Sequence, residues 1–210
     1  MSSISIIGLG TMAGALAERA LANGNAVEII GRNPAKAEQV AGSLPGATVG
    51  TAGAAPAGDI VILAVPYASA ATVVSEYGDA LNGKIVIDIT NPVTPDLTGF
   101  VTPEGSSGAQ EIAKAAPAGA HVIKAFNTLF ANVLVAGTAE GRPLDVFIAG
   151  DDAKAKQDVS AFVESLGLRP MDSGPLPMAR ALENAGLLEM SLMNHSLEHT
   201  NFALGITILS

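Results

Sequence analysis

The chain has 210 residues, of which 49% are hydrophobic, 4% aromatic and 15% charged, and its formal net charge is −9. This length allows one large domain or one domain with an extension, and so acidic a chain is poorly suited to a polyanionic partner such as nucleic acid. Because the sequence has no cysteine, it excludes disulfides, thiolate metal sites and thiol catalysis. The N-terminus lacks a signal pattern, and no apolar run approaches the roughly 20 residues that span a bilayer. We therefore expect a soluble, cytoplasmic protein without a membrane partner.

The first thirty-odd residues have the pattern of a strand, a glycine turn, a helix and a second strand. A β-branched run over 4–7 leads into the turn, and a second apolar run covers 27–30. In this βαβ setting Gly8 allows the tight turn, Gly10 lets the backbone approach a pyrophosphate, and the small Ala13 lets the helix pack closely on the strand. The pattern predicts a dinucleotide site, with the free N–H groups of the first helical turn facing the phosphates.

The end of the second predicted strand indicates which dinucleotide binds. A site for NAD usually carries Asp or Glu at this point to bond the ribose hydroxyls, whereas this chain reads Gly31-Arg32-Asn33. In this interpretation Gly31 leaves room for a 2′-phosphate, and the Arg32 guanidinium offers it a bidentate, charge-assisted contact. The sequence therefore favours NADP(H), and the alternative is an ordinary solvent-exposed arginine.

Residues 1–143 alternate between strand and helix patterns, which predicts an α/β protein with a doubly wound, mostly parallel Rossmann sheet. Helices are expected over 34–44, 68–77 and 108–116, and strands over 47–49, 59–65, 84–89 and 121–125. Ligands of such sheets lie beyond the carboxyl ends of the strands. The strand ends expected to line one crevice are Gly8, Gly31, Val65-Pro66-Tyr67, Thr90-Asn91-Pro92 and Phe126-Asn127-Thr128. Asn91, Asn127 and Thr128 are expected near the nicotinamide, because amide and hydroxyl groups can hold its carboxamide.

Residues 144–210 form the expected C-terminal extension, which is helical, small and packed on the same domain. The pattern predicts a strand over 144–149, a helix to about 166 capped by Asp151 or Asp152, and a short strand over 168–171. A long helix is expected over 177–199. The apolar segment 202–209 is expected to pack against the body of the protein or a second subunit.

The remaining candidates for chemistry are few. His195 and His199 are four residues apart, a spacing able to bind metal, but no third ligand is evident, so we expect a solvated or interface helix face and no metal site. His121 is expected to be structural. A methionine stripe, Met178, Met190 and Met193, is expected in the core, although methionines also suit a pocket for a flat ring.

The sequence shows no nucleophile elbow, P-loop, paired-carboxylate site or Tyr-x-x-x-Lys arrangement. Reduction of a carbonyl usually needs a proton donor beside the hydride, whereas hydride transfer to a flavin-type ring needs mainly face-to-face positioning. The second case suits this chain better, with no side chain acting as an essential acid or base.

Several motifs together resemble the F420-dependent NADP reductases. They are Gly8-x-Gly10, Gly31-Arg32, Ala64-Val65-Pro66, Gly150-Asp151-Asp152, the run from Gly167-Leu168-Arg169-Pro170 to Gly174-Pro175-Leu176, and Leu204-Gly205-Ile206. The likeness spans nearly the whole chain, and the run from Gly167 is its most specific part. The family also includes generic NADPH-dependent dinucleotide-binding oxidoreductases and the flavin-using reductase domains of membrane metalloreductases.

The resemblance implies a Rossmann homodimer that transfers hydride directly between NADP(H) and bound coenzyme F420 or a flavin such as FMN or FAD. By position, NADP would be held by Gly8, Gly10, Thr11, Met12, Arg32 and Asn33 and bordered by Val65, Pro66, Asn91 and Pro92. Where the deazaflavin enzymes are expected to have a His-Thr pair, this chain has Asn127-Thr128, as in the generic subgroup. A flavin or small-carbonyl reductase and a non-catalytic NADPH-binding sensor therefore remain alternatives.

Overall fold

The computed structural model describes residues 2–139 and 141–209. Its strands are β1 (Ser3–Ile7), β2 (Ala26–Gly31), β3 (Thr48–Thr51), β4 (Ile60–Leu63), β5 (Ile85–Asp88), β6 (His121–Lys124), β7 (Thr138–Ala139), β8 (Arg142–Pro143), β9 (Asp145–Gly150) and β10 (Arg169–Asp172). Its α-helices are α1 (Thr11–Ala22), α2 (Pro34–Gly42), α3 (Tyr67–Tyr77), α4 (Gly108–Ala115), α5 (Ala131–Ala136), α6 (Ala153–Ser165) and α7 (Ala179–Leu192). No helix within these ranges is long and apolar enough to cross a membrane.

Eight of the strands form one sheet in the order β10-β9-β6-β5-β4-β1-β2-β3. Neighbouring strands are parallel except for β6 and β9, which are antiparallel. Strands β7 and β8 form a separate antiparallel hairpin. The predicted α/β architecture, a mostly parallel Rossmann sheet with a C-terminal helix, is confirmed.

The core lies on both faces of the sheet because successive side chains of a strand point to opposite faces. Thus Ile60 and Ile62 of β4 join the cluster that α1, α5 and α6 cover. Val61 and Leu63 of the same strand join the cluster that α3 and α4 cover. All four β4 side chains are buried, as expected for a central strand of a parallel sheet.

Some boundaries differ from the sequence prediction. The helix expected over 177–199 is divided into a short 3₁₀ turn (Leu176–Met178), α7 and a π-helical turn (Met193–Leu197). Helix α2 ends at Gly42, two residues early. Helix α5 and the β7–β8 hairpin were not predicted, because elements of six and two residues are too short to show a hydrophobic period.

The C-terminal segment has no regular structure and lies along the body of the same chain. The Phe202 ring packs edge-on against Phe130, with 5.3 Å between the ring centroids. Asp145 accepts a hydrogen bond of 2.7 Å from the backbone N–H of Ile206, and the Arg169 guanidinium donates to both Asp145 and the Ile206 carbonyl. Ile208 and Leu209, beyond these contacts, are exposed.

Candidate cofactor site

A cavity of about 360 Å³ lies at the carboxyl ends of β1, β2 and β4. It brings together seven of the residues expected at the cofactor site, namely Gly8, Gly10, Gly31, Arg32, Asn33, Val65 and Pro66. Leu9, Lys36, Ala52, Gly53, Ser69, Val73, Glu76 and Tyr77 are among its other lining residues. This is the edge of the sheet at which doubly wound proteins bind ligands.

Two glycines of the first turn serve different purposes. Gly8 has a φ of +137°, and a Cβ there would overlap the carbonyl oxygen of Ala64, so the close approach of β1 and β4 requires glycine. Gly10, immediately before α1, has no atom within 4 Å of the position that a Cβ would occupy. A side chain at residue 10 would therefore project into open space at the mouth of the cavity, where a ligand's phosphates would lie against the backbone.

The first turn of α1 adjoins this open space. The N–H groups at the start of an α-helix have no acceptor within the helix, so those of Thr11, Met12 and Ala13 are available to an anion. The Ala13 side chain is fully buried, which fits its expected role in close helix–strand packing, whereas Thr11 is exposed. The three residues adjoin the cavity through their backbone and do not belong to its wall.

Two cationic side chains stand at the end of the cavity formed by β2 and α2. Arg32 and Lys36 both line it, both are exposed, and neither has an acidic partner in the described part of the chain. The Asn33 side chain caps α2, because its oxygen accepts from the Lys36 N–H at 3.1 Å. Lys36 was missed in the sequence analysis, although the Asn33-Pro34 helix start was the signal that places it in the first turn beside Arg32.

Gly31 lines the cavity and also has a packing role. A Cβ at residue 31 would overlap the Cδ1 atom of Leu9, so the glycine lets the Leu9 side chain pack across the end of β2. The room that Gly31 was expected to leave for a 2′-phosphate stays a prediction.

Asn91 and Asn127 lie in a second, smaller cavity of about 90 Å³ at the ends of β5 and β6. The Asn127 amide donates to Asn91 Oδ1 at 2.9 Å and to the Leu182 carbonyl at 2.8 Å, and the Asn91 amide donates to the Asn127 carbonyl at 2.8 Å. The remaining side-chain atom, Asn127 Oδ1, is buried and has no hydrogen-bond partner in the structure as described. The cavity is completed by Leu129, Phe130, Gly186, Glu189 and Met190.

The backbone conformation of Phe126 places Asn127 at this point. Its φ is +62°, a left-handed conformation that bulky side chains rarely adopt. The Phe126 ring is buried and packs edge-on against Phe162, with centroids 6.2 Å apart. This packing holds a strained residue in place, and such strain is common at functional sites.

Five residues of the expected strand ends line neither cavity: Tyr67, Thr90, Pro92, Phe126 and Thr128. Thr128 is 1% exposed. Pro92 is also buried and packs against Gly108, because a Cβ at residue 108 would lie 3.2 Å from Pro92 Cγ. Tyr67 also faces Gly108, and burial, together with the nearby acids Glu111, Glu183 and Asp88, raises the pKa of its phenol.

A buried ionic cluster links β5, β6 and α7 behind these strand ends. Lys124 Nζ lies 2.8 Å from Asp88 Oδ2 and 3.1 Å from Glu183 Oε1, and it also donates to the Thr90 carbonyl. The three charged side chains are fully buried. Burial raises the pKa of Glu183, against the opposing effect of Lys124. The cluster was not predicted from the sequence, although Asp88 and Lys124 both end apolar strands.

Arg180 extends the cluster to the loop that precedes α4. Its guanidinium lies 4.0 Å from the centroid of the Phe100 ring and donates to Thr102 and to the Ser106 carbonyl. Its NH1 atom is 3.3 Å from Glu183 Oε2. The loop is therefore tied to α7 by one side chain.

A second buried acid, Glu189, lines the smaller cavity from α7. It is 3% exposed, and burial raises its pKa to about 7, although a hydrogen bond from the Leu204 N–H at 3.3 Å opposes this rise. The sequence analysis missed Glu189 because it stands in an ordinary helical pattern of leucine and glutamate.

The histidines and methionines differ from their expected arrangement. His195 lies in the π-helical turn and His199 beyond it, so they do not share one helix face, and the described residues contain no group of three metal-ligating side chains. His121 is half-exposed, with Nδ1 3.7 Å from Asp152 Oδ2. The expected methionine core is wrong, since Met178 is 39% exposed and Met190 lines the smaller cavity.

The sheet order, the glycine turn before α1 and the crevice at the strand ends define a dinucleotide-binding Rossmann protein. Residues 3–92 match the family model described as NADP oxidoreductase, coenzyme F420-dependent. Over these residues the chain is similar to the NADP oxidoreductases of this family.

Individual relatives agree with this assignment. The chain is 33% identical to the metalloreductase STEAP3 of Rattus norvegicus over 86% of its own length and 35% of that protein. It is 29% identical to the F420-dependent NADP reductase of Methanothermobacter marburgensis, over 66% of the chain and 64% of that protein. The chain thus spans less than two thirds of the length of either relative.

A solved structure from Arthrobacter sp. FB24, described provisionally as an F420-dependent NADP reductase, superposes with a TM-score of 0.87. It is 26% identical and matches 99% of this chain and 100% of that one. The architecture therefore extends over the whole chain, including the C-terminal extension.

Proposed function

We propose that this protein transfers hydride between NADP(H), bound in the larger cavity, and a deazaflavin of the F420 type or a flavin such as FMN or FAD. The observation that carries the proposal is a pair of cationic side chains, Arg32 and Lys36, at one end of the crevice that begins at the glycine turn. Neither has an acidic partner among the described residues. The similarity of residues 3–92 to the NADP oxidoreductases supports this class of reaction.

The residues of the larger cavity fit NADP in two respects. Open space beside Gly10 lets a pyrophosphate approach the backbone, and the α1 amides of Thr11, Met12 and Ala13 can donate to it. Arg32 and Lys36 would neutralise the 2′-phosphate, with Arg32 giving the bidentate contact. Val65 and Pro66 form the apolar wall between these groups and the ends of β5 and β6.

The smaller cavity would receive the reacting end of the cofactor. The unpartnered Asn127 Oδ1 can accept a hydrogen bond from a carboxamide N–H, which would fix the orientation of the nicotinamide. When bound, NADPH supplies the hydride. The hydride step itself requires the two rings to be held face to face, and the bonds between Asn91 and Asn127 keep this wall rigid.

The proposal includes two kinds of hydride acceptor, and different observations favour each of them. Similarity to F420-dependent NADP reductases favours the deazaflavin, whereas the 33% identity to a metalloreductase and the Asn127-Thr128 pair favour an ordinary flavin or a small carbonyl compound. Exposed Leu188 and Leu192 on α7 are consistent with the homodimer that we also propose.

Stopped-flow absorbance of NADPH mixed with the purified protein tests the proposal, with oxidised F420, FMN and FAD as parallel acceptors and NADH as the control donor. We expect rapid loss of NADPH absorbance with one of them and little with NADH. Transfer to F420 alone would support the deazaflavin, and transfer to FMN or FAD would support a flavin reductase. Tight binding of NADPH without transfer to any acceptor would contradict the oxidoreductase proposal and favour an NADPH-binding sensor.

A further inference from the structure

Glu189 occupies an unusual position for a carboxyl group. It lies on α7, is 3% exposed, and forms part of the wall of the 90 Å³ cavity, opposite the ends of β5 and β6. Apolar side chains, including Phe130 and Met190, form much of the same wall. A carboxyl group in such surroundings favours its neutral, protonated form.

The polar contacts of Glu189 do not compensate for its burial. In the described part of the chain its one hydrogen bond comes from the Leu204 N–H, at 3.3 Å, and it forms no ion pair. Burial raises its pKa and the Leu204 N–H lowers it, whereas no charged side chain on α7, the β5 and β6 ends or the C-terminal segment contributes. With a pKa of about 7, about half of the Glu189 carboxyl groups hold a proton at neutral pH, and that proton is exchangeable.

Glu183, almost two turns earlier on α7, provides an internal comparison. It is also fully buried, but Lys124 Nζ lies 3.1 Å from its Oε1 and the Gly108 N–H donates to the same atom at 2.8 Å. Those contacts hold Glu183 as part of a structural ion cluster. Glu189 lacks them, so it is the acid on α7 whose proton is free to move.

A second residue of the cavity wall, Asn127, has an unpaired polar atom. Asn127 Oδ1 is buried without a partner, while both asparagine amides are already occupied by protein acceptors. A buried acceptor without a partner is rare in folded proteins and points to a missing donor. The residues of the cavity wall thus include Asn127, with an unpaired buried acceptor, and Glu189, with an ionisable carboxyl group.

We propose that Glu189 is the proton donor for the acceptor that receives the hydride, a planar conjugated compound with a C=N or C=O group. This inference rests on the proposed function. The cavity lies at the same sheet edge as the larger one, since β5 is the neighbour of β4. Glu189 would therefore face the point at which the nicotinamide end of the cofactor meets the acceptor.

The reaction balances with one proton from the protein. The hydride carries two electrons and one hydrogen to the acceptor, which needs one further proton on its nitrogen or oxygen. The Glu189 O–H bond breaks as that N–H or O–H bond forms, and the carboxylate recovers a proton from solvent. The sum is NADPH, oxidised acceptor and H⁺ giving NADP⁺ and reduced acceptor.

Single-turnover kinetics of Glu189→Gln, with oxidised F420 and with FMN from about pH 5 to about pH 9, test the assignment. We expect hydride transfer to slow by about 10²-fold or more, because glutamine has the same shape and no transferable proton. The wild-type rate should fall as pH rises through about 7, and the variant rate should be independent of pH. Glu189→Asp should recover part of the rate, and Glu164→Gln, an exposed change on α6, should leave it unchanged.

A second readout does not depend on turnover. Infrared spectra near pH 6 should contain a stronger protonated carboxyl band in the wild-type protein and in Glu164→Gln than in Glu189→Gln, and the difference isolates Glu189 from Glu183. NADPH affinity should stay within about twofold in all three proteins, because Glu189 acts on the acceptor.

The outcomes separate the two proposals. If the wild-type protein transfers hydride to neither F420 nor FMN, the proposed function is contradicted. If the wild-type protein and Glu189→Gln transfer it at similar rates with the same pH profile, only the role of Glu189 is contradicted. A fully ionised Glu189 at pH 6 would also overturn that role.

Discussion

Gly186 on α7 lies directly against Asn91: a Cβ at residue 186 would be 2.6 Å from Asn91 Oδ1. That oxygen accepts the hydrogen bond from Asn127, so the glycine lets α7 approach the paired asparagines without displacing them. Helix α7 thereby closes the smaller cavity, although glycine is a poor residue for the interior of a helix.

The substitution Gly186→Ala tests this packing. Alanine in place of a helical glycine ordinarily stabilises by about 1 kcal/mol, but here the new methyl group must push Asn91 away from Asn127. We expect urea unfolding to show a net loss of about 1–2 kcal/mol. Gly14→Ala on α1, where a Cβ meets nothing within 4 Å, is the matched control and should gain stability. Equal gains in both variants would contradict the contact.

The two glycines of the first turn should respond differently to alanine. Gly8→Ala forces a left-handed φ and overlaps the Ala64 carbonyl, so we expect a loss of stability of at least about 2 kcal/mol. Gly10→Ala should fold normally and bind NADPH at least tenfold more weakly, because its methyl group projects toward the expected pyrophosphate. Thermal unfolding and fluorescence titration with NADPH measure the two effects. Unchanged NADPH affinity in Gly10→Ala would place the phosphates elsewhere.

Arg32 should determine the preference for NADPH over NADH. We expect Arg32→Ala to weaken NADPH binding by about 1.5–3 kcal/mol and to leave NADH nearly unaffected, because only NADPH carries the 2′-phosphate. Lys36→Ala should cause a smaller loss with the same selectivity, since an ammonium group cannot give the bidentate contact. Isothermal titration with both dinucleotides measures the affinities. Equal losses for NADPH and NADH would overturn the 2′-phosphate assignment.

The buried ion cluster should matter far more to stability than exposed ion pairs do. Lys124→Ala leaves Asp88 and Glu183 buried without their cation, and we expect a loss of about 3–5 kcal/mol. Lys154→Ala, which removes an exposed pair with Asp158 on α6, should cost less than about 0.5 kcal/mol. Denaturant titration of both variants provides the comparison, and similar small losses would show that the cluster is not held together by charge.

Stability should depend on pH through Glu189. Between the ordinary glutamate pKa of 4.5 and its folded value of about 7, the folded protein keeps a proton that the unfolded chain has released. The free energy of unfolding therefore falls as pH rises through this range, by at most about 3 kcal/mol, and is level above it. Glu183 acts in the same direction, so the difference between wild type and Glu189→Gln isolates Glu189. A wild-type slope identical to that of the variant would contradict the raised pKa.

Much of the sheet could be predicted from the sequence because it depends on local patterns. The glycine turn, the fully apolar β4 and the helix start at Asp152 each have short-range causes, and Asp152 indeed caps α6 with a 2.7 Å bond from the Ala155 N–H. The division of the last helix was not predictable in this way. Its end depends on how residues 193–206 fold back along Phe130 and Asp145, which no local period encodes.

The larger cavity was predictable and the smaller one only in part. Arg32 and Gly10 belong to a motif of contiguous residues, whereas Glu189 meets Asn91 and Asn127 only after α7 has crossed the sheet. The packing of Leu9 against Gly31 was not predictable either, because Leu9 belongs to the turn after a different strand. In each case the contact depends on packing between elements that are distant in the sequence, which local patterns do not indicate.

The antiparallel pairing of β9 with β6 has a geometric consequence for the last helix. Strands β9 and β10 run opposite to the other strands, and α7, which follows β10, contacts the end of β6 through Leu182 and Glu183 before it reaches the smaller cavity. A helix rises 1.5 Å and turns about 100° per residue, so inserting a single residue early in α7 would rotate Glu189 out of the cavity, whatever its chemical identity. The number of residues between the start of α7 and position 189 therefore fixes the direction of this side chain. A related protein with an insertion in this part of the helix would need its acid at a different position.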